Sequence, residues 1–155
     1  MAVGEQSGEL VRTRTGAVAG LSPSVGPAHA PRVLSTTQLR ALDEVILEAE
    51  HSTGLRFAVY VGELGEDTRA GAERLLDALG EDAPYAVLVA LSPAQRVVEI
   101  VTGSETALRI SDRAARVAVL AVVAACSDGD LNGALINAVR ILADQAGTVP
   151  ERSDW

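Results

Sequence analysis

Residues 84–103, PYAVLVALSPAQRVVEIVTG, limit the fold more than any other stretch of the chain. Residues 85–91 are apolar or aromatic without a break, and they are bounded by Pro84 and by Ser92-Pro93. An uninterrupted apolar run of strand length suits a strand covered on both faces. Ser92-Pro93-Ala94-Gln95 places proline at the second position of a turn, where its fixed φ fits type I geometry. Residues 96–102 then alternate, with Val97, Glu99 and Val101 on one side and Val98, Ile100 and Thr102 on the other. The two segments are expected to pair as an antiparallel hairpin. Glu99 marks the second strand as only partly covered.

A doubly covered strand needs helices above and below it, and the flanking sequence supplies them. Ser35-Thr36-Thr37-Gln38 is a capping box, with Leu34 and Leu39 placed as a hydrophobic staple. Leu39, Leu42, Ile46 and Ala49 follow at helical spacing, with Asp43, Glu44, Glu48 and Glu50 expected outside. Thr53-Gly54 ends that helix. Residues 55–61 read as the first sheet strand. After the loop Gly62-Glu63-Leu64-Gly65-Glu66-Asp67, a second helix carries Ala72, Leu75, Leu76 and Leu79 as its apolar stripe, and Gly80 stops it. Strand, helix and strand in this length form a βαβ unit, so the first two strands should run parallel. Beyond the hairpin, residues 103–110 read as a loop. Ser111 or Asp112 starts a third helix that reaches about Cys126. It is apolar nearly all round from Val117, and coverage on more than one side is expected. Asp130 starts a fourth helix with Leu131, Ala134, Leu135, Ala138 and Leu142 as its stripe. The fold class that follows is α/β, a small mixed β-sheet (a βαβ unit plus an antiparallel hairpin) sandwiched between about four helices.

The chain is one domain's worth at 155 residues. Residues 1–33 carry scattered Gly and Pro and are expected to be a flexible tail, with a weak edge strand at residues 11–18 as the alternative. Residues 34–147 are the α/β domain, and residues 148–155 a second tail. The net charge is −8, all 13 basic residues are Arg, and aromatics make up 3%. An acidic chain without a basic stripe or base-stacking rings is not expected to bind nucleic acid or an anionic membrane surface. The longest apolar run, residues 117–126, is too short to span a bilayer, so an integral membrane protein is not expected. The first residues lack the pattern of a signal peptide, and a cytoplasmic location is expected. Cys126 has no second Cys to pair with and reads as a small apolar residue.

Chemistry is expected, if anywhere, at one rim. The end of the first strand carries Glu63, Glu66 and Asp67. The second strand ends beside it, at the turn leading to Arg96. The third helix starts at the far edge and rises about 24 Å, which returns Asp128 and Asp130 to the first edge. Glu63, Asp67, Asp128 and Asp130 are the candidate metal ligands, since carboxylate oxygens suit a hard cation such as Ca²⁺. Capping alone also accounts for Asp67 and Asp130. Asp128-Gly129-Asp130-Leu131-Asn132-Gly133 copies the opening of an EF-hand loop, but the twelfth position is Val139 and not glutamate, so the motif fails. Phosphate-binding glycine loops, a nucleophile elbow and a Cys/His zinc set are missing from the sequence.

The order of segments over residues 34–146 resembles the TPM domain, the family that includes a plant thylakoid lumen phosphatase. The carrying residues are Thr53-Gly54, the strand–helix–strand, LVALSPAQRVVEIVTG, LRISDRA and SDGDLNGAL. The whole chain is similar to an uncharacterised actinobacterial branch with this domain. By motif the resemblance transfers Arg96, Gly103, Asp112, Gly129 and Asp130. It implies a mixed sheet between helices, calcium at an acidic rim in some members, acid phosphatase activity in others, and accessory or assembly roles in the rest. The expected function is a non-catalytic binding or accessory module with an acidic, Ca²⁺-accepting rim and a protein partner. A weak acid phosphatase, or a scaffold that uses the N-terminal tail, are the alternatives.

Overall fold

The computed structural model describes residues 9–12 and 34–148. Ten segments follow one another: β1 (Glu9–Arg12), α1 (Thr36–Thr53), β2 (Arg56–Val61), α2 (Thr68–Asp77), a 3₁₀ turn (Gly80–Tyr85), β3 (Ala86–Ser92), β4 (Val97–Thr102), a second 3₁₀ turn (Thr106–Leu108), α3 (Asp112–Ser127) and α4 (Leu131–Ala146). The sheet order is β1-β2-β3-β4. β2 and β3 are parallel, from Arg56 opposite Ala86 to Val61 opposite Leu91. β3 and β4 are antiparallel, with Ser92 opposite Val97 closing the hairpin. The expected α/β architecture is therefore the observed one.

The period-two alternation of β2 and β3 builds two cores. Phe57, Val59, Val61, Val87, Val89 and Leu91 face one way, into a core shared with α1, α3 and α4. Ala58, Tyr60, Ala86, Leu88 and Ala90 face the other way, toward α2. Every residue of β3 is buried, because helices lie on both sides of it. On the α2 face the alanines Ala58, Ala86 and Ala90 alternate with Tyr60 and Leu88 against Ala72, Leu75 and Leu76 of the helix. Tyr85 belongs to the 3₁₀ turn and not to the strand, and it is 52% exposed.

The caps follow the sequence. The Gln38 amide donates to Ser35 Oγ at 3.1 Å and the Ser35 amide donates to Gln38 Oε1 at 2.9 Å. Gly54 closes α1 in the left-handed region at φ 76°. In the hairpin turn Arg96 takes φ 55°, the one non-glycine residue with positive φ among those described.

Two further expectations change. β1 lies inside the stretch read as a tail: Glu9 stands opposite Val61 and Leu10 opposite Tyr60, antiparallel, with an irregularity before Arg12. The outer edge of β2 needs backbone partners, and four residues suffice where composition suggested a flexible tail. It overlaps the edge strand expected at residues 11–18 only at its end, and the rest of that stretch, like the remainder of both tails, falls outside the described residues. Glu50, expected outside, is 5% exposed. Its Oε2 accepts the Phe57 amide at 2.9 Å, because the chain reverses at Gly54 and carries the start of β2 past the last turn of α1. As expected, α3 is covered on more than one side, by α4 and β4, while a further side stays open. Val117, Leu120 and Val123 are 51%, 68% and 47% exposed.

Candidate functional site

The rim forms where β2 ends. The loop after β2 is tied to the hairpin turn by Gln95, whose Oε1 accepts the Leu64 amide at 2.8 Å and the Ser92 hydroxyl at 2.7 Å. Gln95 Nε2 donates to the Gly65 carbonyl at 2.7 Å. The Tyr60 hydroxyl donates to the Glu63 carbonyl at 2.9 Å. Burial, with a smaller contribution from the Glu63 carboxylate, pushes the Tyr60 phenol up to about 12, so it stays a neutral donor at any physiological pH. α2 starts at the same end. The Thr68 hydroxyl donates to Glu99 Oε2 at 2.7 Å, and Arg69 donates to the Ile100 carbonyl at 2.9 Å while its guanidinium lies 3.6 Å from Glu99.

The far end of the sheet is fixed by Arg109. Its guanidinium reaches the carbonyls of Thr53, at the end of α1, and of Ala146, at the end of α4. Since α4 ends there, its first residue and the α3–α4 junction lie a helix length away, about 24 Å at helical rise, toward the rim end. They belong, however, to the helix layer on the sheet face opposite α2. Asp67 caps α2, which packs on one sheet face, whereas Asp128 and Asp130 cap α3 and α4, which pack on the other. Two of the carboxylates are also engaged as caps: Asp67 Oδ1 accepts the Ala70 amide at 3.0 Å and Asp130 Oδ1 accepts the Gly133 amide at 2.9 Å. Asp128 ends α3. Among the described residues no three Asp, Glu, His or Cys side chains come together closely enough to share a metal ion. Glu63, Asp67, Asp128 and Asp130 thus share an end of the molecule without forming one ligand set. Of the residues transferred by motif, Gly103 packs against the 3₁₀ turn before β3, where a Cβ would fall 2.0 Å from the Ala83 carbonyl oxygen. Cys126 sits under the α3–α4 junction, and burial and then Asp130 push its thiol up.

Among the described residues, two open grooves flank the sheet. One, beside α2, has Glu73 and Asp77 on its wall with Pro84, Val101 and Gly103, and no basic side chain to hold an anion. The other, of about 530 Å³, runs between β4 and α3. Val98, Ile100, Ala115, Val119 and Leu120 give it an apolar floor, and Arg69, Arg116, Glu99 and Asp112 stand along it. It continues onto the open side of α3. Sequence reasoning placed the chemistry at the rim and passed over this groove, although the apolar run from Val117 was its signal.

The chain belongs to a family described as a domain of unknown function, DUF5130, whose model matches residues 7–143. The match begins close to β1, within the stretch read from composition as a tail. Uncharacterised proteins of two Mycobacterium tuberculosis strains, CDC 1551 and H37Rv, are each 36% identical to it over 141 residues, which is 90% of this chain and 81% of theirs. The fold resembles the N-terminal domain of a protein from P. gingivalis, solved by NMR (TM-score 0.65, 18% identity, 73% of this chain and 76% of that one). It also resembles the N-terminal domain of a Corynebacterium glutamicum protein (TM-score 0.59, 17% identity, 79% and 83%). These likenesses establish the family and the fold; a TPM assignment is not among them. No described helix is long and apolar enough to cross a membrane.

Proposed function

We propose that this domain is a non-catalytic binding module whose working face is the groove between β4 and α3, and that its ligand is a protein surface. The observation that carries this reading is the open side of α3, where Val117, Leu120 and Val123 are all about half exposed or more. Scattered apolar residues on a surface need no explanation, but three on one helix side beside an apolar groove do. Arg69, Arg116, Glu99 and Asp112 around that floor would form the polar rim of an interface.

The hydrolase alternative rests on Asp67, whose carboxylate is engaged in the first turn of α2. The scaffold alternative rests on a tail of which only β1 is described, and β1 is a sheet strand. Calcium is not part of this reading, because no three described Asp, Glu, His or Cys side chains come together closely enough to share an ion. Millimolar Ca²⁺ should leave the melting temperature unchanged. A rise of several degrees that Glu63→Gln abolishes would bring the metal back.

A photo-crosslinking amino acid placed at position 120 in the cell should give a discrete protein adduct, while the same group at Glu73 on α2 should not. Equal labelling from both positions, or none from 120, would remove the groove as the working face.

A further inference from the structure

Resting on that reading, we infer that the partner on the open side of α3 is a second copy of this chain, its α3 lying antiparallel to the first. The exposed side of the helix carries Arg113, Val117, Leu120, Ala124 and Ser127, at alternating steps of four and three. That is the spacing of a seam along which two helices pack. The seam is also self-complementary in charge. Exposed Arg113 stands at its N-terminal end and exposed Asp128 at its C-terminal end, about 22 Å apart at helical rise. Leu120 lies at the midpoint between them. A two-fold axis beside Leu120 therefore sets Val117 against Ala124 and Arg113 against Asp128, each pair made twice. Among the described residues neither Arg113 nor Asp128 has an ion-pair partner within its own chain. Antiparallel macrodipoles add to the match. A parallel arrangement, or a partner of unrelated sequence, has no such reason to mirror the spacing of charges about Leu120. The net charge of −8 on each copy opposes association at low salt, but screening within about 10 Å at 0.1 M leaves the close pairs and removes most of that repulsion.

Sedimentation of the full chain at moderate salt tests this directly. A monomer–dimer equilibrium is expected, with dissociation in the micromolar range for so small a seam. Leu120→Asp should weaken it roughly 100-fold, since it buries a charge where an apolar side chain sat. Leu120 is 68% exposed in the monomer, so the variant keeps its circular dichroism and melting temperature. Arg113→Glu and Asp128→Arg should each weaken the dimer several-fold, and the two together should restore it. A chain that stays monomeric on the order of 0.5 mM, a dimer indifferent to Leu120→Asp, or a double exchange that fails to restore association would each overturn the inference. If the chain is monomeric while position 120 still crosslinks to a different protein, this inference falls and the binding-module reading stands. If position 120 gives no adduct at all, both fall.

Discussion

Gly71→Ala should destabilise the protein, although alanine is the better helix former. Gly71 sits in α2, where the substitution would be worth about 1 kcal/mol in the helix's favour on propensity alone. The opposing term is steric. A Cβ on Gly71 would fall 1.9 Å from the carbonyl oxygen of Leu64 and 2.9 Å from its carbon. Separation to ordinary contact needs a shift of more than an ångström, either of α2 or of the loop after β2. Neither can yield cheaply. The loop is held at Leu64 and Gly65 by Gln95 and at Glu63 by Tyr60. α2 is held by Thr68 and Arg69 against β4. Overpacking against fixed backbone costs about 1–3 kcal/mol and occasionally more, so the steric term wins. The net loss should be on the order of 2 kcal/mol, a fall in melting temperature of roughly 4–8 °C. Gln95→Ala should make the same substitution less damaging, because a released loop can move aside. A melt of Gly71→Ala at or above the parent's would show that the packing of α2 on the loop is looser than described.

The contrast between these residues explains what the sequence disclosed. The hairpin, the parallel pair and the four helices were legible because each rests on local signals: a seven-residue apolar run, a proline turn, a capping box and glycine stops. What escaped was pairing between distant residues. Glu50 lies in an acidic stretch with Glu44 and Glu48, and nothing in the spacing distinguishes it from them. Its burial is set by where β2 begins, seven residues later. Gln95 and Arg109 are ordinary polar residues in a turn and a loop until partners from 30 to 56 positions away arrive. β1 was hidden for another reason, since strand formation in four residues depends on the neighbouring edge and not on its own composition. The rim was half legible. Topology returned the α3–α4 junction toward the end where β2 terminates, but a sheet has two faces, and linear order did not say that α2 would cover one and α3 and α4 the other.

Arg109→Ala should cost more than any other single substitution of an exposed-looking charge in this chain. The side chain donates from Nη1 to the Thr53 carbonyl at 2.5 Å, and from Nη2 to the carbonyls of Ala146, Gly147 and Thr148 at 3.1, 2.9 and 3.2 Å. Thr53 is the last residue of α1 and Ala146 the last of α4. One cation thus serves two helix C-termini, each carrying partial negative charge and carbonyls without intrahelical partners. Hydrogen bonds to a charged group contribute about 1.5–3 kcal/mol, and removal of this one leaves acceptors at both ends together. The expected loss is on the order of 3 kcal/mol, roughly 6–12 °C in melting temperature. Lysine should not substitute. Its ammonium is a single point on a flexible stem, whereas the guanidinium reaches the α1 and α4 carbonyls from two separate nitrogens. Arg109→Lys should therefore recover less than half of the loss. The damage should also be local before it is global, with faster amide exchange in the last turn of α4 than in β3. Exchange that rises uniformly, or a lysine variant as stable as the parent, would mean that charge near the two helix ends suffices and that the planar fork joining them does not matter.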